Sequence, residues 1–191
     1  MKKFFLIILF LIVPLSSNSE SVKPILVGDK QSKVKIVVYE SLTCSHCAEF
    51  HKKIYPGIKS EFIDKNKVLI EFRSFPLDLA ALNASKLAHC KNDGSSKILH
   101  KLYEKQKNWA KGSSIEEINS NLKKTLKEEN ININFDKCLM DKNLENFILK
   151  ERIEGVKKFN IDSTPTIIIN DEKFEKSLTF KNLKKVIENL L

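Results

Sequence analysis

Arginine is nearly missing from this chain. Of 33 basic residues only Arg73 and Arg152 are arginines, and the rest are lysines. Proteins that read nucleic acid rely on the planar guanidinium for bidentate contacts to bases and phosphates. A net charge of +9, carried by lysines interspersed with 24 acids, reads instead as a solvated surface, and no nucleic-acid partner is expected. There is no internal repeat and no low-complexity tract, and glycine and proline number five each. One domain, or one domain with a large insertion, is expected from 191 residues. A chain of this length can bury a sizeable core, so disulfides are not needed merely to hold the fold. Past residue 15 no apolar stretch is long enough to span a bilayer.

The N-terminus does carry a signal. Lys2 and Lys3 precede an apolar run from Phe4 to Leu15, and the small residues Ser17 and Ser19 precede Glu20. This is the layout of a secretory signal peptide. The run is shorter than the ~20 residues a spanning helix needs, although an uncleaved anchor is the competing reading. No cysteine follows the run, which argues against a lipoprotein anchor. Residues 1–19 are expected to be removed, leaving a periplasmic protein that begins near Glu20. Export changes how the cysteines read. Cys44, Cys47, Cys90 and Cys138 are an even set in a compartment where disulfides persist.

Residues 20–32 read as a polar lead-in. From Lys33 to Glu40, apolar residues fall on both faces of a strand, as a central, doubly covered strand requires. A helix follows, with Thr43 as its cap and Phe50, Ile54, Ile58 and Phe62 as its buried stripe. Pro56 inside that stripe should kink it. Val68 to Phe75 is a second strand, ended by Pro76. Residues 78–160 carry helical periods, read as three to five helices, with Ile115, Ile118, Leu122 and Leu126 as one stripe. Trp109 reads as core, and the sequon Asn83-Ala84-Ser85 as chance within a helical pattern. After Pro165, Thr166 to Ile169 is β-rich, Asn170-Asp171 is a turn, and a short strand around Phe174 completes a hairpin. Thr179 caps a last helix with the stripe Leu183, Val186, Ile187 and Leu190. The expected fold class is α/β: a mixed sheet built from residues 20–77 and 161–191, interrupted by a helical insertion over residues 78–160.

Cys44 and Cys47 sit where the first long strand ends and its helix begins. Unpaired backbone N–H groups and the helix dipole favour negative charge there, which lowers a thiol pKa. The two-residue spacing brings the sulfurs within bonding reach. His46 between them can donate to, or charge-stabilise, a Cys44 thiolate. Cys47 points back into the helix as the buried, resolving thiol. Zinc is the chief rival, but it commonly needs a second close pair of ligands, and no second CxxC exists; His46, His51, His89 and His100 are available in principle. Haem attachment would need histidine where the chain has Ala48. A purely structural disulfide across so short a loop would add little stability. Dithiol exchange calls for no metal and no cofactor. Thr164-Pro165 is the second signal. Its bland reading is a strand start. The sharper one is a cis bond that sets Pro165 beside the CxxC and leaves the Thr164 backbone free to pair with an extended substrate.

Together the strand–Cys44-Ser45-His46-Cys47–helix start, the helical insertion, Ser163-Thr164-Pro165-Thr166 and the terminal helix resemble the DsbA-like proteins. These are exported thiol oxidases of the thioredoxin superfamily, and the resemblance covers essentially all of the chain after residue 19. It implies a thioredoxin fold, a cis Thr164–Pro165 bond opposite the active-site disulfide, Cys44 as nucleophile and Cys47 as its resolving partner. It implies reduced exported proteins as substrates and a quinone-linked membrane oxidase of the DsbB type for reoxidation. Two departures stand out. Ser45 replaces the proline of the best-known members, and Val38 stands where they often carry an acid; Glu40 is read as lying on a different register. Cys90 and Cys138 both fall in the helical block. They read as a staple of the insertion, worth at most ~4 kcal/mol on the entropy model, with a second redox pair or two unpaired thiols as the other readings. A branch of DsbA-like proteins carries an extra cysteine pair in the helical domain, and the likeness to that branch implies a structural Cys90–Cys138 disulfide. The rival functions are a reductase or isomerase on the same fold, and a non-enzymatic exported binding or chaperone-like domain held by structural disulfides.

Overall fold

The computed structural model describes residues 21–191. The expected signal peptide, residues 1–19, lies outside the described residues. The architecture is the expected mixed sheet with a helical insertion. Five strands lie in the order β1 (Ile25–Val27), β3 (Val68–Ser74), β2 (Val34–Glu40), β4 (Thr166–Ile169) and β5 (Glu172–Lys173). β1 is antiparallel to β3 and corrects the reading of residues 20–32 as a mere lead-in. Its three residues are too few to show an alternating pattern.

β2 is the central strand. Strand side chains alternate between faces. Val34, Ile36 and Val38 therefore enter the main core, while Val37 and Tyr39 join Phe75, Ile161 and Ile168 on the opposite face. β2 runs parallel to β3, from Val34↔Val68 to Glu40↔Ser74, and antiparallel to β4, with Tyr39 opposite Thr166. The ends of β2 and β3 and the start of β4 thus meet at one edge of the sheet. There the Phe75 N–H donates to the Glu40 carbonyl at 2.7 Å.

The chain leaving β2 enters α1 (Ser45–Glu49), a π-helical turn (Phe50–Ile54) and α2 (Tyr55–Glu61). Pro56 lies in the first turn of α2, where a missing N–H is tolerated, so the interruption expected there takes the form of the widened turn before it. That turn lets the neighbours Phe50 and His51 both face inward. The helix is capped by Cys44 and not by Thr43, and Cys44 supplies no side-chain cap bond. The Thr43 hydroxyl instead donates to Asp78 at 2.7 Å, and Asp78 accepts the Ala81 N–H at the start of the next helix.

Six helices separate β3 from β4 among the described residues: α3 (Leu79–His89), α4 (Lys97–Glu104), α5 (Gln106–Trp109), α6 (Ile115–Glu128), α7 (Phe135–Met140) and α8 (Lys142–Phe159). The sequence suggested three to five, because α5 and α7 are too short to display a stripe. A disulfide joins Cys90, at the end of α3, to Cys138 in α7. Asn83 and Ser85 are buried in α3, so the sequon is closed off. The Asn170-Asp171 turn has positive φ at both residues, as a tight hairpin needs, and its second strand ends before Phe174. Thr179 caps α9 (Phe180–Leu190) by accepting the Asn182 N–H. No helix among the described residues is long and apolar enough to cross a membrane.

α8 closes the second face of the sheet at close range. A β-carbon added to Gly155 would lie 2.7 Å from the fully buried Tyr39 ring. Overpacking costs about 1–3 kcal/mol, against about 1 kcal/mol of helix propensity gained by alanine. Gly155→Ala should therefore lower the urea midpoint by the equivalent of up to ~2 kcal/mol at unchanged slope. An unchanged midpoint would mean that α8 moves off Tyr39 freely.

Candidate active site

Cys44 is the first residue of the helical rod, and its extended backbone (φ −75°, ψ 121°) turns the chain from β2 into α1. Because β4 starts where β2 ends, the segment before Pro165 comes up against it. The Thr164–Pro165 peptide is cis, and the protonated Cys44 thiol donates to the Thr164 carbonyl at 3.3 Å. The Thr164 hydroxyl is buried there without a hydrogen-bond partner among the described residues. Gln106, from α5, holds the loop from the other side. Its side-chain amide donates to the carbonyls of Leu42 at 2.8 Å and Cys44 at 2.9 Å. Sequence reasoning passed over Gln106, since nothing marks one glutamine on a single helical turn.

The two active-site thiols have opposite environments. Cys44 is half-buried, and its pKa is held down at about 5. The main cause is the hydrogen bond it receives from the Cys47 thiol; partial burial opposes, and the neighbouring Thr164 and the backbone N–H groups of Cys47 and His46 add to the lowering. Cys47 is fully buried, and desolvation pushes its thiol far up, reinforced by the Cys44 sulfur and the Glu40 carboxyl. The expectation for His46 is revised: its contribution runs through the backbone N–H, while its ring is exposed and makes no hydrogen bond among the described residues.

Behind Cys47 lies a buried polar cluster that the sequence reading did not assemble. Glu40 is 3% exposed and accepts or donates at 2.7 Å with His51 Nε2. Burial raises the Glu40 pKa well above the carboxylate range and holds His51 at about 3, so both favour a neutral acid facing a neutral imidazole. Tyr103 stacks on the His51 ring at 4.1 Å, and its hydroxyl is buried near Glu40 and Cys47 without a hydrogen-bond partner among the described residues. A signal for Glu40 was available. Positions 38 and 40 share one face of a strand, so an acid at 40 enters the same core as one at 38 would, one step nearer the cysteines.

The structure thus brings together Cys44, Cys47, Thr164 and Pro165, leaves the His46 ring outside, and adds Glu40, Gln106 and Tyr103. Cys90 and Cys138 are joined to each other within the helical block. Among the described residues no group of three or more His, Cys, Asp or Glu side chains is placed to hold a metal ion.

The family model described as "Thioredoxin" matches residues 20–189. The crystal structure of Wolbachia pipientis alpha-DsbA1 aligns with a TM-score of 0.78 at 27% identity, covering 94% of this chain and 93% of that one. Disulfide bond formation protein D of Bacillus subtilis is 27% identical over 194 residues, covering 92% of this chain and 81% of that protein. A Rickettsia bellii protein named "Putative protein-disulfide oxidoreductase" is 38% identical over 97 residues, covering 50% of this chain and 38% of that protein. The aligned stretch therefore spans well under half the length of the Rickettsia relative.

The asymmetry of the two thiols predicts which one forms a bond with a client. Cys47→Ser should accumulate covalent complexes through Cys44, resolved on non-reducing gels, and Cys44→Ser should not. The reverse pattern would exchange their roles.

Proposed function

The chain belongs to the thioredoxin family, among its DsbA-like members, and on that premise we propose that it is a periplasmic protein thiol–disulfide oxidoreductase that donates disulfides to exported proteins through Cys44 and Cys47. The observation that carries this reading is the placement of Cys44 at the open helix terminus, 3.3 Å from the Thr164 carbonyl beside the cis Pro165, with Cys47 fully buried beneath it.

In the oxidised enzyme a client thiolate attacks Cys44 Sγ, the sulfur at the open end of the helix. The Cys44–Cys47 bond breaks, and Cys47 leaves with the electron pair and takes a proton from the buried cluster. A second client thiolate then attacks the client sulfur of the mixed disulfide and expels Cys44. The low thiol pKa makes Cys44 a good leaving group. Two electrons pass from the client dithiol to the enzyme, one proton ends on Cys47, and the other stays in solvent. Pro165 and the Thr164 backbone line the approach, where an extended chain can add by main-chain hydrogen bonds. Leu77 and Leu79 are 52% and 55% exposed, and the Leu77 N–H donates to Ser41 beside the CxxC loop. This apolar ledge suits the side chains of unfolded clients. Cys90–Cys138 acts as a structural staple of the helical block. Reoxidation is assigned to a quinone-linked membrane partner of the DsbB type, and no cofactor enters.

Linkage gives the test. A depressed thiol pKa stabilises the reduced fold fully above the unfolded thiol's ~8.5, and that contribution fades as pH falls through about 5. Oxidation removes the thiolate and its stabilisation. The reduced form should therefore unfold at higher denaturant than the oxidised form at pH 7, with the gap closing as pH falls through that lower value. Denaturation of both forms, with Cys90 and Cys138 changed to serine, measures this. An oxidised form clearly the more stable at neutral pH would mark a reductant and defeat the oxidase reading.

A further inference from the structure

Each opening or closing of the Cys44–Cys47 bond moves one proton at Cys47. That sulfur is fully buried, so the proton has no direct path to water. Glu40 faces it from β2, and Glu40 Oε1 is buried with no hydrogen-bond partner among the described residues. Its other oxygen meets His51 Nε2 at 2.7 Å, and His51 Nδ1 meets His100 Nδ1 at 2.9 Å. Glu40 and His51 are buried, whereas His100, on α4, is half-buried and reaches the protein surface. His100 Nε2 is itself buried, just beneath that surface, and has no hydrogen-bond partner among the described residues, so it exchanges a proton with water only when the half-exposed ring turns outward.

We propose that His51 and His100 form a proton conduit that connects Glu40, and through it Cys47, with the α4 surface of the helical block. The proposal rests on the reading of Cys44–Cys47 as an exchange pair. Each imidazole carries one donor and one acceptor nitrogen when neutral. With Glu40 protonated, its O–H donates to His51 Nε2, His51 Nδ1–H donates to His100 Nδ1, and His100 holds its proton on Nε2. One concerted shift releases that last proton and leaves Glu40 as a carboxylate accepting from His51 Nε2–H. Glu40 Oε1 then takes the Cys47 proton, and the Cys47 thiolate attacks the mixed disulfide at Cys44. One proton has crossed from Cys47 to solvent, with no change in redox state along the path. No imidazolium forms, in keeping with burial that holds both histidines near pKa 3. The titratable groups facing the conduit are Cys44 and Cys47 at the start of the helix, Tyr55 and Lys59 from α2, and Tyr103 from α4; β3 contributes Phe72.

His51 and His100 act through Glu40 and are positioning residues, so the test needs a readout that packing alone would not move. Reduced protein is mixed with glutathione disulfide in a stopped-flow instrument, and two phases are followed: mixed-disulfide formation at Cys44, then closure by Cys47. His51→Gln and His100→Asn keep hydrogen-bonding capacity but cannot pass a proton. Closure should slow by about tenfold, below the 10²–10⁴ of a direct general base, with an altered pH profile and an unchanged first phase. Added imidazole should restore closure in His100→Ala. Folded variants that close at the wild-type rate, with the wild-type pH profile, would overturn the conduit and leave the histidines as packing. If His51→Gln does not fold, imidazole rescue of His100→Ala decides alone, and absence of rescue overturns the proposal. A wild-type protein that never closes the pair would overturn the exchange reading itself, a distinct result.

Discussion

The pairing of β2, parallel to β3 through Glu40↔Ser74 and antiparallel to β4 through Tyr39↔Thr166, sets three chain segments at one edge of the sheet. The cysteine loop, the end of β3 and the Thr164–Pro165 segment meet there as a consequence of this register. A slip of one residue would turn Val38 and Glu40 away from the main core and send Tyr39 into it. The 3.3 Å contact between Cys44 Sγ and the Thr164 carbonyl follows from that register, and so does the approach of Glu40 to Cys47.

Within that frame the chemistry comes from unequal burial. Two identical thiols three residues apart acquire pKa values on opposite sides of a free thiol, because one lies at the open helix terminus and the other under it. The thiol of Cys47 donates to Cys44, so the proton of one stabilises the charge of the other. The helical block is part of this arrangement. Gln106 fixes the loop carbonyls, while Tyr103 and His100 close over the Glu40–His51 pair. Leaving Glu40 Oε1 and the Tyr103 hydroxyl buried without full partners costs stability, of order 1–3 kcal/mol for such a group. A cluster that served packing alone would be better filled with apolar side chains.

Much of this could be read from the residues. The doubly apolar strand before Cys44, the β-rich Thr166–Ile169 run, the Thr179 cap and the stripe of α9 are local patterns whose period or chemistry is explicit. Elements without a period were missed: β1, with three residues, and the short α5 and α7. The π-helical turn was hidden behind Pro56, which announces an interruption but not its form, and with it the inward placement of His51. Thr43 has the chemistry of a cap, yet Asp78, 35 residues away, competes for its hydroxyl. Glu40 was misjudged, and the His46 ring makes no hydrogen bond to Cys44 among the described residues, for the same reason. Nearness in sequence to a cysteine says little until the face on which a side chain emerges is known.

The central claim is that Cys44 is a thiolate at neutral pH while Cys47 stays protonated. Ultraviolet titration of thiolate absorbance in the reduced protein tests this directly, with Cys44→Ser as the blank. One thiolate should appear with a midpoint near pH 5 and vanish in the blank, and no second should follow before the protein unfolds in alkali. A single midpoint near ~8.5, the value of an unperturbed thiol, would contradict the account.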